Sequence, residues 1–494
     1  MSTPSPLFKT AHELSAFLSA GQTTTVDLVT AFLDQIERHN HNGKKLNALV
    51  AVAPREDVLS RAVQLDRERA TGQVRSVLHG IPIVLKDTFV TDASLGMPTS
   101  AGAAFFAGLK AKKNATVVQR LLDAGLVIIG KGNMTEYCGM KSNDTPVGWS
   151  AHGGLTLSAY RRDDLDEKDQ PTAAGSSNGP TVAVSAAFAP LALGTETSGS
   201  AVYPAGVNGV YGMKLSFGAV PLDGVCQLSR SFDHVGVFAR DPADLKPLMD
   251  ILMDKAGDDG EGRDGFKGLG VGVLSNVWGV MGDGVTDKWD TIEVKGKYEG
   301  AVKKLEEFGA RVVYPLEVEK PEDVLKYHEE TLKSVAYYEF PSNIAEFITC
   351  FEPVQGITTL KDVIEWNEQH ADIALPKPYT TQTELIAATE STMTEETRVK
   401  AAAHLHRMAT SESIGKVMDL QNLDIVLSNS DATLVHYASC AGWPVAVVPL
   451  GRAPKNGQPY GMFAMARHGR EDVLLRFMTA WDEGFGRCET PLLE

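Results

Sequence analysis

Residues 174–214 read AGSSNGPTVAVSAAFAPLALGTETSGSAVYPAGVNGVYGMK, and this stretch decides the fold class that we predict. It contains two clusters of glycine and serine, separated by an apolar segment. Within that segment, Leu191–Leu193 is typical of a buried strand, and it leads directly into the second cluster, Gly194–Ser200. Glycine permits tight turns and close backbone approach, so each cluster can present N–H groups to an anion. A nest of N–H groups at the end of a buried strand is a suitable oxyanion hole for acyl transfer.

Strand and helix patterns alternate on both sides of this stretch. Gly80–Asp87 reads GIPIVLKD, an apolar run that ends in two charges, and it predicts a buried strand with Lys86 at its tip. The chain opens with helical patterns that Thr10 and Thr25 can cap. We predict further helices at 117–124, 293–308 and much of 320–420, and further strands at 126–129, 269–274, 425–427 and 444–450. This alternation predicts an α/β protein.

The composition argues against several classes of protein. The chain has 494 residues and a formal net charge of -16, so its average field repels nucleic acid and anionic membranes. The longest strongly apolar run, 182–193, is too short to span a bilayer, and the N-terminal residues carry no secretory signal pattern. The five cysteines have no paired spacing, which argues against a disulfide framework or a zinc site. These features predict a soluble, cytoplasmic protein without a nucleic-acid or membrane partner.

A second serine competes for the role of nucleophile. Gly175–Gly179 satisfies G-x-S-x-G, the nucleophile elbow of α/β-hydrolases, in which Ser177 would attack. That elbow needs a strand directly before it, whereas the preceding residues here are polar and end in Pro171. The context therefore argues against the elbow. Three histidines invite a Ser-His-Asp assignment, and we interpret them as structural or solvated: His234, His404 and His406.

Several spaced motifs together resemble those of the amidase signature family. Four segments follow the family's order: Gly80–Asp87 resembles its lysine strand, Ala174–Gly179 its Gly-Ser turn, Gly194–Ser200 its nucleophile motif, and Gly209–Lys214 its later G-x-x-G-x-K. Softer likenesses are found at Gly130–Glu136, Phe232–Gly236, Ala441–Gly451 and Gln458–Gly461. Because the motifs occur in the expected order, the combined resemblance is far more specific than any one motif.

The resemblance implies the architecture of the whole chain. It implies an amidase-signature fold, in which a large mixed and twisted β-sheet is covered on both faces by helices. We expect one domain over residues 1–494, with a signature core at about 78–240, a variable helical region that builds the substrate pocket at about 270–420, and C-terminal strands and a helix at 421–494. Two polar stretches, 161–170 and 255–265, predict surface insertions, and the second fits either a loop or a linker.

The resemblance also implies the residues of the active site. The catalytic residues would be Lys86, Ser176 and Ser200, with a cis peptide bond before Ser176. Ser200 would attack the substrate, and Ser176 would pass its proton to Lys86. The groups that bind the oxyanion or the substrate would be Thr197, Ser198, Gly199, Ser176 and Cys138. No metal and no cofactor is implied, and a homodimer is left open.

The chemistry places a strong demand on Lys86. A serine hydroxyl is a weak nucleophile at neutral pH and needs a base within hydrogen-bond reach. Because the reference pKa of lysine is about 10.4, making the amine largely neutral at pH 7 costs about 4 kcal/mol. Burial disfavours the ammonium, and the apolar run Ile81–Leu85 is a source of that desolvation.

Some residues depart from the family pattern, and they keep other functions open. Ala174 replaces the first glycine of the turn, and Asn178 and Pro180 replace residues that are usually Gly and Ser or Ala. Ala201-Val202 stands where many members have an Ile-Arg pair. The leading prediction is a stand-alone amidase that acts on a small or medium carboxamide. One alternative is the ammonia-releasing subunit of a tRNA-dependent amidotransferase. Another is a binding protein of the same fold that has lost turnover.

Overall fold

The computed structural model describes residues 5–255, 265–275 and 291–493. The strands of this part of the chain are short and lie mostly in the interior. They are β1 (Leu49–Val52), β2 (Pro82–Lys86), β3 (Val127–Gly132), β4 (Trp149–Ser150), β5 (Gly154–Leu155), β6 (Leu191–Glu196), β7 (Tyr211–Lys214), β8 (His234–Ala239), β9 (Gly270–Val273), β10 (Arg311–Val313), β11 (Ile425–Asn429), β12 (Val445–Arg452) and β13 (Pro459–Ala466).

Helices separate most of these strands along the chain. They are α1 (Ala11–Ser19), α2 (Thr25–His39), α3 (Arg55–Ala70), α4 (Ala104–Ala107), α5 (Thr116–Asp123), α6 (Asn178–Ser185), α7 (Val202–Val207), α8 (Leu245–Met253), α9 (Thr291–Glu307), α10 (Pro321–Val324), α11 (Leu332–Ile348), α12 (Leu360–Gln369), α13 (Ala371–Ala374), α14 (Thr383–Thr389), α15 (Glu395–Arg407), α16 (Ile414–Leu420), α17 (Leu434–Ala441) and α18 (Glu471–Phe485).

Among the described residues, eleven strands form one sheet in the order β1-β3-β2-β6-β8-β7-β12-β13-β11-β9-β10. The sheet is mixed. Strands β3-β2-β6 and β11-β9-β10 form two parallel groups, and the pairs β1-β3 and β6-β8 are antiparallel. Every residue of β2, β6, β8 and β13 is buried. Since successive strand residues point to opposite faces, both faces of the central sheet are covered. The α/β prediction and the mixed, helix-covered sheet are confirmed.

Most of the predicted elements are found within a residue or two of their expected bounds. The strands expected near 126, 269, 425 and 444 are β3, β9, β11 and β12. Thr10 caps α1 and forms a reciprocal capping box with Glu13, as expected. The prediction for α2 was wrong by one residue, because Thr24 is its cap and accepts from the N–H of Asp27, whereas Thr25 is the first helical residue. Residues 256–264 of the second polar insertion lie outside the described residues.

A second apolar cluster separates the sheet from the helices of the variable region. It contains side chains from α4, α11, α12 and α14 and from the segment after β3. Among them are Phe106, Tyr137, Phe340, Phe347 and Leu385. Aromatic contacts therefore pack α11 and α12 against α4 and against the segment after β3. None of the helices within the described ranges combines the length and apolarity that a membrane crossing requires.

Candidate active site

The sheet brings the tip of β2 next to the tip of β6. These strands are parallel, with Leu85 opposite Leu193, so both point toward the same edge of the sheet. Lys86 ends β2 and is fully buried. Its Nζ donates to the hydroxyl of Ser176 at 2.7 Å and to the carbonyl of Thr195 at 3.2 Å. The amine of Lys86 is thus in direct contact with the first Gly-Ser cluster.

The surroundings of Lys86 favour the neutral amine. Burial lowers the pKa of Lys86, and the neighbouring Cys138, Asp233 and Glu196 only partly oppose this effect. The two oxygens to which the amine donates are neutral, and the thiol of Cys138 is a further polar neighbour of the amine. Burial therefore favours the neutral form of this amine more than it would be favoured in an exposed lysine.

The first Gly-Ser cluster forms a tight turn beside Lys86. The peptide bond between Gly175 and Ser176 is cis, and the preceding Ala174 has φ of 52°. This left-handed conformation favours glycine, so the alanine found here in place of the family's glycine carries a backbone strain of about 1 kcal/mol. The N–H of Ser177 donates to the carbonyl of Ser200 at 3.0 Å. That backbone bond joins the two Gly-Ser clusters.

Ser200 lies between β6 and α7 and is partly exposed, so a ligand can reach it. One oxygen of Glu196 accepts from the N–H groups of Ala201 at 2.8 Å and Val202 at 3.0 Å, which fixes the backbone directly after Ser200. The hydrogen bonds of the described residues do not include the predicted one between the hydroxyls of Ser176 and Ser200. The two serines are brought together through the backbone instead.

The loop from Thr197 to Ser200 is held from two sides. The hydroxyl of Thr197 donates to Asp233 at 2.5 Å, and the hydroxyl of Ser439 on α17 donates to the carbonyl of Thr197 at 2.6 Å. Gly199 has φ of 84°, a conformation that a side chain would oppose. The N–H groups of Thr197–Ser200 donate no hydrogen bond within the described part of the chain. They are therefore available to an anionic oxygen.

Cys138 borders the same centre. Its thiol lies 3.9 Å from the hydroxyl of Thr195 and is partly exposed. Both Cys138 and the preceding Tyr137 adopt left-handed backbone angles, with φ of 56° and 49°. This turn directs the segment after β3 toward Lys86.

The rival nucleophile and the three histidines each have their own surroundings in the structure. His234 is buried on β8, opposite Glu196 in the ladder with β6. Ser177 is buried and donates to the carbonyl of Thr195 at 3.1 Å, and no strand precedes it within 171–176, as the sequence context predicted. His404 lies against the ring of Tyr327, and His406 bonds the carbonyl of Cys440. No cluster of three potential metal ligands occurs among the described residues.

Several charged groups at the site were not predicted as site residues. Asp87 and Lys131 form a fully buried ion pair at 3.3 Å beside Lys86. Asp233 is buried under the Thr197 loop, and burial raises the pKa of its carboxyl to about 7. Both aspartates lie within quoted motifs, so the signal was present in the sequence but their partners could not be read from it.

The fold and the site define a hydrolase that acts on amide C–N bonds. A family model described as Amidase matches residues 27–475, and the chain belongs to this amidase family. The resemblance drawn from the motifs is therefore confirmed.

The relatives include amidases and a subunit of an amidotransferase. The chain is similar to the native peptide amidase from Stenotrophomonas maltophilia, with a TM-score of 0.86, 29% identity and 100% of both chains covered. An amidase family protein from Bacillus anthracis gives a TM-score of 0.85 at 27% identity, over 98% of this chain and 92% of that one. A glutamyl-tRNA(Gln) amidotransferase subunit from Halorhodospira halophila is 32% identical over 69% of this chain and 66% of its own length.

Proposed function

We propose that this chain hydrolyses a carboxamide through an acyl-enzyme on Ser200, with Ser176 as proton relay and Lys86 as base. The observation that carries the proposal is the 2.7 Å hydrogen bond between the buried amine of Lys86 and the hydroxyl of Ser176. A fully buried lysine that donates to a hydroxyl and a carbonyl, and that has no ion pair among the described residues, is suited to proton transfer.

The proposed first half-reaction forms the acyl-enzyme. The oxygen of Ser200 attacks the carbonyl carbon while its proton passes to Ser176, whose own proton passes to the neutral Lys86. The carbonyl π bond opens, and the resulting oxyanion is bound by N–H groups of the Thr197–Ser200 loop. Collapse of the tetrahedral intermediate breaks the C–N bond, and the proton returns through Ser176 to the leaving amine or ammonia.

The second half-reaction releases the carboxylate. Water takes the place of the leaving amine and gives its proton to the same relay as it attacks the acyl ester. Collapse then frees the hydroxyl of Ser200 and returns Lys86 to its neutral state. The relay is used in both directions, which requires a lysine whose two protonation states are close in free energy.

The substrate class that we propose is a peptide amide. The support is the similarity to a peptide amidase over the full length of both chains. The exposed Val147 is packed against Gly175 and therefore lies at the rim of the catalytic turn, where it offers an apolar contact to an acyl group. The test is a panel of peptide amides against free amino-acid amides and simple aliphatic amides, with released ammonia as the readout.

Substitution of the two candidate serines tests the mechanism. Ser200→Ala should lower amide hydrolysis by about 10³-fold or more, since the covalent route is lost. Ser177→Ala is the matched control and should retain activity within about tenfold. Labelling with a fluorophosphonate, followed by mass spectrometry, should place the adduct on Ser200. Full activity of Ser200→Ala together with an adduct on Ser177 would overturn the assignment.

The amidotransferase relative supports a second candidate. The 32% identity to a component of the glutamyl-tRNA(Gln) amidotransferase suggests an ammonia-releasing protein that works with partners. Purified chain that releases ammonia from amides without any other protein would favour the stand-alone enzyme. Activity that appears only with partner proteins and tRNA would favour the amidotransferase component. Silence toward both the probe and the amide panel would favour a binding protein.

A further inference from the structure

The side chain of Thr197 is held by a residue that lies opposite it, just beyond the paired ends of the adjacent strands β6 and β8. The antiparallel ladder of β6 and β8 ends with Glu196 paired to His234. One step beyond it, Thr197 lies opposite Asp233, and its hydroxyl donates to the carboxylate at 2.5 Å. Both side chains are buried, at 7% and 5% exposure, so the bond is shielded from water. A shielded bond to a carboxylate is stronger than the same bond at the surface.

Asp233 in turn closes the loop that leads into β8. Its second carboxylate oxygen accepts from the N–H of Leu228 at 2.6 Å, and its own N–H donates to the carbonyl of Ser229 at 3.0 Å. The loop 228–233 is thereby folded around the carboxylate of Asp233. A shift of this loop would move the carboxylate, and with it Thr197.

The loop is fastened to the variable helical region by one buried carboxylate. Glu339 on α11 is 2% exposed and accepts from the hydroxyls of Ser229 and Ser231, each at 2.5 Å. It also accepts from the N–H of Ser231 at 3.2 Å. Arg398 on α15 lies 3.5 Å from the same carboxylate and supplies the compensating charge. Three of these contacts join the loop to α11, and Glu339 is more deeply buried than Asn343, which also binds the loop.

Neighbouring residues of α11 support the same attachment. Arg230 donates to Asn343 at 2.9 Å and to Ser342 at 2.6 Å, and Asn343 donates to the carbonyl of Leu228 at 3.2 Å. Residues 339, 342 and 343 are three and four positions apart, so they share one face of the helix. This face of α11 therefore carries a row of polar groups directed at one loop of the sheet.

We propose that Glu339 is a positioning residue of the amidase reaction, acting through the loop 228–233 and Asp233 to hold Thr197 beside Ser200. The inference rests on the proposed function, because it assigns the Thr197 loop to the oxyanion. Neither carboxylate touches the reacting atoms. Each acts by fixing the place of the next group, from α11 to the nucleophile loop.

The alternative is a purely structural role, in which Glu339 and Asp233 only stabilise the fold. A structural role predicts activity that follows the folded fraction. A positioning role predicts a lower kcat in protein that is fully folded, with an unchanged KM, because an oxyanion hole acts on the transition state more than on the bound substrate. A small displacement of such a group is enough for a loss of about 100-fold.

The test uses two substitutions and one matched control in the full-length chain. Asp233→Asn should lower kcat about 100-fold and Glu339→Gln about tenfold, with KM within about twofold of the parent. The control is Asp244→Asn. Asp244 is likewise buried, accepts two backbone N–H groups of α1, and has a pKa that burial raises to about 6, but it lies on the path into α8. This control should lose stability while keeping kcat.

Two further variants show whether the groups act as one chain. Thr197→Ser keeps the hydroxyl and should retain most of the activity, whereas Thr197→Val removes it and should match Asp233→Asn. The double variant Asp233→Asn with Glu339→Gln should lose no more than Asp233→Asn alone, since residues of one network are not additive. Additive losses would overturn the proposal.

The outcome is distinguishable from a failure of the proposed function. Unchanged kcat in both Asp233→Asn and Glu339→Gln, with Ser200→Ala inactive, would refute the positioning role and leave the mechanism standing. A loss confined to KM, or a loss that Asp244→Asn shares, would also refute it. An active Ser200→Ala would refute the mechanism itself.

Discussion

The ends of β2 and β3 lie side by side in the sheet, and each strand carries a lysine that is fully buried. Lys131 lies 3.3 Å from the carboxylate of Asp87 and donates to the hydroxyl of Thr99 at 2.6 Å. Lys86 donates to the hydroxyl of Ser176 and to the carbonyl of Thr195, and it forms no ion pair with any of the described residues. Burial lowers the pKa of both lysines. The two ends therefore share their burial and differ in their partners.

That difference separates a structural cation from a base. A carboxylate in contact with a buried ammonium stabilises the charged form and offsets much of its desolvation. The hydroxyl and the carbonyl carry no full charge, and the neighbouring Cys138, Asp233 and Glu196 offset the desolvation only in part, so burial favours loss of the proton. We therefore infer that the ion pair at β3 supports the fold and that the amine at β2 is free to act on Ser176.

The largest expected effect is on catalysis at the tip of β2. Lys86→Met should lower amide hydrolysis by about 10³ to 10⁴-fold, because the base is lost while the shape is kept. Lys131→Met is the matched variant and should keep its activity within about tenfold, measured per folded molecule. Equal losses in the two variants would break the comparison, since both lysines would then serve the same purpose.

The next effect is on stability, and here the larger loss is expected in Lys131→Met rather than in Lys86→Met. Lys131→Met leaves the carboxylate of Asp87 buried without its cation and should lower the free energy of unfolding by about 3 kcal/mol. Lys86→Met should leave it unchanged or raise it, since the cost of a buried amine is removed. Urea unfolding at pH 7 measures both. A greater loss in Lys86→Met than in Lys131→Met would contradict the assignment of roles.

The protonation of Lys86 gives both effects a pH dependence. In the parent, kcat/KM should fall as the pH drops, because the protonated Lys86 cannot accept a proton. Its folded pKa lies below the unfolded value, so the native state binds fewer protons and the free energy of unfolding rises with pH up to about 10.4. The stability advantage of Lys86→Met should therefore shrink as the pH rises. An advantage that grows with pH would show that Lys86 is charged in the fold.

The smallest effect concerns the carbonyl that Lys86 shares with Ser177. Thr195 accepts from both the amine and the hydroxyl of Ser177, at 3.2 and 3.1 Å. Ser177→Ala removes one of these donors and should lower the free energy of unfolding by about 1 kcal/mol. Thermal unfolding with parallel activity assays measures the two quantities. A catalytic loss as great as that of Lys86→Met would mean that Ser177, too, belongs to the proton relay.

The strands and the order of the motifs could be predicted from the sequence because they depend on local patterns. The apolar run before Lys86 and the one before Gly194 correspond to β2 and β6, as their buried residues require. The cap of α2 was placed one residue too late, because three consecutive threonines offer the same side-chain oxygen and only the backbone geometry selects Thr24.

The partners of the charged groups could not be predicted in the same way. Asp87 and Lys131 are 44 positions apart, and Glu339 is about a hundred positions from the loop that it anchors. No periodicity links such residues, because the pairing arises from how strands and helices are packed. The turn around Ala174 and the backbone hydrogen bond between Ser177 and Ser200 likewise depend on the tertiary structure.

The sequence by itself determined that a lysine would end one buried strand, that a serine would follow another, and that a Gly-Ser turn would lie between them in the chain, since apolar runs, glycines and their spacing are local properties. Only the tertiary structure decided which of the buried lysines meets a carboxylate and which meets a hydroxyl. The physical reason is that the charge state of a buried group depends on the few atoms within about 4 Å of it, and those atoms are supplied by distant parts of the chain.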